Sequence, residues 1–133
     1  MDRVVITKIA GADRTLNYSV EVMFDMADKY GTIQKALDLL TQNSREGFDA
    51  LRWFAVRMSN DGELCRREAG HSRLPMLKEG DISPRMKPLD YETLKGAVVD
   101  AITLGYKREV ENTDEEVDLG LLELREKKTK AGA

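Results

Sequence analysis

Residues 4–31, VVITKIAGADRTLNYSVEVMFDMADKYG, decide the fold. A β-branched run from Val4 to Ile9 meets a turn at Gly11-Ala12-Asp13, and a second run, Arg14 to Tyr18, goes from polar to apolar. Helical spacing takes over at once. Val20, Phe24, Ala27 and Tyr30 recur on one face with Met23 beside them, and Glu21, Asp25 and Asp28 fall on the other side. Ser19 is placed to cap this helix, since its hydroxyl can accept from an orphan amide of the first turn. Gly31 stops it, at the position where a left-handed residue costs least. A lone hairpin is only marginally stable in water, so this one must dock on helices.

Working outward, Thr32 caps a second helix with a stripe of Ile33, Ala36, Leu37 and Leu40. Asn43 opens a third, with Glu46 three residues on as in a capping box. Phe48, Leu51, Phe54, Ala55 and Met58 share its wide apolar face, Trp53 stands at the edge, and Asn60-Asp61-Gly62 reads as the stop. A short fourth helix, Glu63 to Ala69, closes on Gly70. From His71 to Pro88 no period holds, and Pro75, Gly80, Pro84 and Pro88 mark a loop with one short turn around Leu74 to Leu77. The last helix starts after Pro88 with Asp90 as N-cap, buries Leu94, Ala97, Val98, Ala101 and Ile102, and ends at Gly105. The expected fold is mainly α: a small bundle of about five helices with an N-terminal β-hairpin at its edge. Residues 1–106 form this domain, and 107–133 form an acidic linker, Glu109 to Asp118, followed by a short amphipathic C-terminal segment.

At 133 residues the chain has the length of one domain with a real core. Its 41% hydrophobic content is too high for disorder throughout, although 34% of residues are charged. A net charge of −3 argues against a general nucleic-acid binder, because phosphate neutralisation needs a basic excess. The single cysteine, Cys65, cannot make an internal disulfide, and no run has the length of a membrane span or the apolar core of a signal peptide. A cytoplasmic protein is expected.

Signals for enzyme chemistry are scarce. There is no Walker loop, dinucleotide-binding glycine pattern, HExxH or paired CxxC, so no catalytic residue and no cofactor is assigned. Cys65, Glu68 and His71 offer at most three ligands where a structural zinc wants four, and no metal site is assigned. Glu21, Asp25 and Asp28 read as a solvated helix face, with Lys29 four residues from Asp25 as a weak partner. Arg45, Arg52, Arg57, Arg66, Arg67, Arg73 and Arg85 gather in the middle third. They form either an anion- or partner-binding face or a set of internal ion pairs. The cluster Leu119, Leu121, Leu122 and Leu124, between acids and lysines, is too short to build its own core. It either packs back on the domain or anchors a partner, and partner binding or self-association is the favoured reading because the acidic run before it resembles a linker.

The stretches LNYSVEVMFDMADKYG (16–31) and TIQKAL (32–37), with the late Leu94 to Ile102 helix, resemble the tail assembly chaperones of long-tailed bacteriophages and prophages. The likeness spans roughly residues 3 to 106: a short strand pair leading into a helix that ends in lysine-aromatic-glycine, a second helix, then one rich in large apolar residues. It implies a non-enzymatic protein of the host cytoplasm, absent from or minor in the mature virion. Such proteins bind the tape-measure protein, keep its long helices soluble and recruit tail-tube subunits. In many proteins of that family a programmed frameshift near the end of the first reading frame adds a second domain that contacts the tube protein, and Lys127-Lys128 here would suit a slippery codon run. Partner-binding candidates are Met23, Met26, Trp53 and Phe54, which could line an apolar trough, with Arg52 and Arg57 and the four tail leucines. A homo-oligomer fits the same reading. The competing function is a small helical nucleic-acid-binding regulator using the Arg45–Arg73 segment, which lacks a clear recognition helix.

Overall fold

The computed structural model describes residues 4–106, and within them Val4–Gly105 form a compact unit. The acidic run and Leu119, Leu121, Leu122 and Leu124 lie outside the described residues. The described chain is mainly helical. It runs β1 (Val5–Ile9), β2 (Ala12–Leu16), α1 (Val20–Tyr30), α2 (Ile33–Leu40), α3 (Arg45–Glu68), a 3-10 turn (Glu79–Asp81) and α4 (Pro88–Gly105). Four helices therefore stand where about five were expected.

The hairpin is antiparallel, with Val5 opposite Leu16 and Thr7 opposite Arg14. Its turn is Ala10-Gly11, one step earlier than the sequence suggests. Both residues have positive φ, 53° and 85°, which a two-residue type I′ connection requires. Ile9, Arg14 and Leu16 point inward and Ile6 stays exposed, so the sheet has one wet face. β2 lies against α3 and β1 meets α4, which supplies the docking a two-stranded sheet needs.

Capping sets the helix starts. Ser19 Oγ accepts from Val22 N–H and Thr32 Oγ1 from Lys35 N–H, as expected. Gly31 closes α1 with φ 102°. α3 is capped by Ser44, whose Oγ accepts from Gly47 N–H, and Asn43 is instead drawn to α4, where its Oδ1 accepts from Lys95 Nζ at 2.6 Å and Tyr91 Oη at 3.3 Å. α4 starts at Pro88 itself, where the missing N–H costs nothing, and Asp90 falls within the first turn.

The largest correction concerns Asn60-Asp61-Gly62. Those residues do not stop α3, which continues unbroken to Glu68. Gly62 is buried against β2: a methyl at this position would overlap the Thr15 carbonyl oxygen. The glycine serves a close approach between helix and strand, and the Asn17 N–H completes that approach by donating to Met58 O at 3.1 Å. Asp61 accepts from Asn17 Nδ2 at 2.7 Å. The expected fourth helix, Glu63 to Ala69, is the last part of the third.

The core is the expected one in α3, where Leu51, Phe54, Ala55 and Met58 are fully buried, joined by Ala36 and Leu40 of α2 and by Leu94, Val98, Ala101 and Ile102 of α4. α1 differs. It buries Val22 and Met26, with Met23 and Tyr30 partly covered, and it leaves Val20 63% and Phe24 59% exposed. The face carrying Val20, Phe24 and Ala27 points away from the bundle.

Candidate functional site

Two stripes of side chains frame what this molecule can do. The first runs along α3 and holds the segment after Gly70. Glu63, 2% exposed, accepts from Leu74 N–H at 2.7 Å, and Arg67 donates to Leu74 O at 2.8 Å. Three residues earlier on the helix, Asn60 repeats the pattern: its Oδ1 accepts from Leu77 N–H and its Nδ2 donates to Leu77 O. Arg52 reaches Glu79 O at 2.9 Å, and Arg14 of β2 donates to Pro75 O at 2.7 Å. These side chains satisfy backbone groups in a segment that makes no ladder of its own. Leu74 to Glu79 is thus an extended strap antiparallel to α3, not a turn, and the turn lies beyond it at Glu79–Asp81. Leu77 and Ile82 drive the strap into the core.

Glu63 is the centre of this latch. Its burial pushes the carboxyl up, but the Leu74 amide and the Arg67 and Arg66 guanidinium groups, at 3.0 and 2.6 Å, pull harder and bring it down to about 2. The carboxylate is therefore ionised at neutral pH, with Oε2 held by the Leu74 amide and Arg67 and Oε1 by Arg66. Arg57 forms a second tie, bridging Asp25 of α1 at 2.8 Å and Asp61 of its own helix at 3.7 Å. Asp25 pairs with this arginine across the helices, not with Lys29.

The candidate partner residues separate on this geometry. Met26 and Phe54 are completely buried. Met23 is partly covered by the core, and Trp53 sits half-buried in an aromatic trio, edge-on to Tyr30 at 5.8 Å and to Phe54 at 5.3 Å. Burial, then the carboxylates of Glu79 and Asp49, push the Tyr30 hydroxyl up to about 12, so it stays neutral. Arg52 and Arg57 are half-buried and engaged with Glu79 O and with Asp25 and Asp61. Of the arginine cluster, then, Arg52, Arg57, Arg66 and Arg67 serve internal contacts.

The second stripe is the outer face of α1. Val20 and Phe24 lie one turn apart, Ala27 continues the line, and Glu21 and Asp28 border it on one side, both exposed and without an ion pair among the described residues. Sequence spacing marks this stripe clearly but assigns it to the core. What spacing missed is that Val22 and Met26 define a second apolar face, which wins the burial because Met23 and Tyr30 lie on its side.

Two shallow concavities stand out among the described residues. One of about 410 Å³ lies between β1, the 3-10 turn and α4, with Lys8, Asp81, Ser83 and Asp90 among its lining. The other, about 450 Å³, lies where α3 and α4 begin and is lined by Phe48, Tyr91, Met86, Pro84 and Pro88. Among the described residues no three His, Cys, Asp or Glu side chains converge as a metal site, and no helix is long and apolar enough to cross a membrane. The Cys65 thiol is pushed up by partial burial and then by Asp61 and Glu68, which makes the reactive thiolate scarce at neutral pH.

Compared with family models, curated proteins and solved structures, the chain matches none.

Proposed function

We propose that this protein is a non-catalytic interaction protein of phage tail assembly, a chaperone that holds the helices of a tape-measure protein and helps bring tail-tube subunits to them. One observation carries the reading. The element richest in the resemblance, α1 with its terminal Gly31, is also the element that exposes an ordered apolar stripe, Val20 and Phe24. A helix that is apolar on two sides while packing with one is built for a partner. The rest of the fold supports this role by leaving its polar side chains to internal contacts. α3 spans the bundle unbroken, and its polar stripe is spent on holding the strap.

The test is co-expression of the chain with a phage tape-measure protein and a tail-tube protein, followed by size-exclusion chromatography with light scattering. A complex that keeps the tape-measure protein soluble is the expected result. Strict monomer behaviour with no co-purification would remove the tail assignment. Retention on DNA at low salt would then bring the nucleic-acid reading forward.

A further inference from the structure

We infer that the outer face of α1 is a docking site for an amphipathic helix whose apolar stripe is flanked by lysine or arginine. The inference deepens the helix-binding half of the proposed function and does not require the partner to be a tail protein. Val20 and Phe24 are i and i+4 on an exposed helix surface, so their side chains meet and form one continuous apolar ridge. Ala27, one turn further, is small enough to let a second helix approach closely. The eleven residues of α1 span about 16 Å, the length over which a partner helix presents anchors at i, i+4 and i+7.

Charge selects the occupant. Glu21 and Asp28 border the ridge at its two ends, both exposed, and neither has a cationic partner among the described residues. The third acid of the helix, Asp25, is already neutralised by Arg57. Lys29 Nζ stands over the Tyr30 ring, 5.6 Å from its centre. The ridge thus presents an apolar surface with an uncompensated negative edge, which favours a partner carrying basic residues beside its stripe and rejects an acidic one. The same edge argues against a second copy of this chain. Two such faces, packed antiparallel about Phe24, would set Val20 of each copy against Asp28 of the other and bring like charges into one seam.

The experiment uses the full chain and two synthetic helical peptides with leucine at i, i+4 and i+7, one with lysine at the flanking positions and one with glutamate. Binding is read by fluorescence anisotropy, beside the double variant Val20→Ser with Phe24→Ser. The lysine peptide is expected to bind at least about 10-fold more tightly than the glutamate peptide, and the double variant to lose at least about 10-fold in affinity for it, each equal to about 1.4 kcal/mol. The variant's thermal midpoint should stay unchanged, which separates loss of a surface from loss of the fold. No binding, equal binding of both peptides, or full binding by the variant would each overturn the proposal. So would a wild-type dimer that the double variant splits, because the face would then belong to a second copy. If the tape-measure protein co-purifies equally with wild type and double variant, the tail assignment stands and this site falls. If it does not co-purify while the lysine peptide binds through Phe24, the site stands alone.

Discussion

The polar stripe of α3 and the apolar stripe of α1 exchange the places that their chemistry would suggest. Arg52, Asn60, Glu63 and Arg67 belong, by hydropathy, to a solvated helix face, yet the strap lies over them and Glu63 is sealed from water. Val20, Phe24 and Ala27 belong to a core face, yet the first two stand in solvent. The difference teaches that a stripe is buried by what lies opposite it. The α3 stripe faces a segment whose backbone groups have no ladder partner, so polar side chains are the ones that stabilise the contact. The α1 stripe faces nothing within the described residues.

The sharpest challenge to this comparison is at the seam that makes α3 continuous. Gly62→Ala gains about 1 kcal/mol of helix propensity, but the methyl overlaps the Thr15 carbonyl, and overpacking against backbone outweighs the gain. A net loss of about 3 kcal/mol is expected in urea denaturation, and a neutral result would show that β2 does not press on α3. Next comes Glu63→Ala, which leaves the Leu74 amide without an acceptor and two guanidinium groups without a carboxylate. Because Arg66 and Arg67 still reach solvent, the expected cost is about 2 kcal/mol, below that of breaking a wholly buried pair. Asn60→Ala removes both partners of Leu77 and should cost about 1.5 kcal/mol while leaving the α1 surface intact.

Acid tests the same latch without mutation. The Glu63 carboxyl titrates at about 2 in the folded protein and near 4.5 in an unfolded chain. Its folded value is the depressed one, so its contribution is complete above about pH 4.5 and is lost as pH falls toward 2. Protection of the Leu74 and Leu77 amides, taken against the intrinsic exchange rate at each pH, should fall across that window, and in Glu63→Gln this pH dependence should flatten. The smallest effect belongs to the other stripe. Phe24→Ser should change stability by no more than about 0.5 kcal/mol, because the ring is already in water. A large loss there would mean that the α1 ridge is part of the core and would cancel the contrast.

Much of this was legible from residue order. The hairpin, the caps at Ser19 and Thr32, the stop at Gly31 and the Phe48–Met58 core face are local consequences of spacing and side-chain chemistry. The misread parts have a common cause. Asn60-Asp61-Gly62 looks like a turn because those residue types favour turns in isolation, and only the position of β2 shows why a glycine is needed inside a helix. The strap looks like a loop because its hydrogen bonds run to side chains 7 to 17 positions away or further, a distance that no local pattern records.

By itself, then, the sequence determined the hairpin, the helices α1, α2 and α4, and that α1 carries an apolar stripe through Val20 and Phe24. Local propensity and capping act within a few residues and are written directly in the chain. Only the tertiary structure decided which of α1's two apolar faces turns inward, that α3 runs through its apparent stop, and that a polar stripe is buried beneath the strap. Those outcomes depend on which surfaces meet, and an i, i+4 period is the same whether the face it marks finds a neighbour or is left waiting for one.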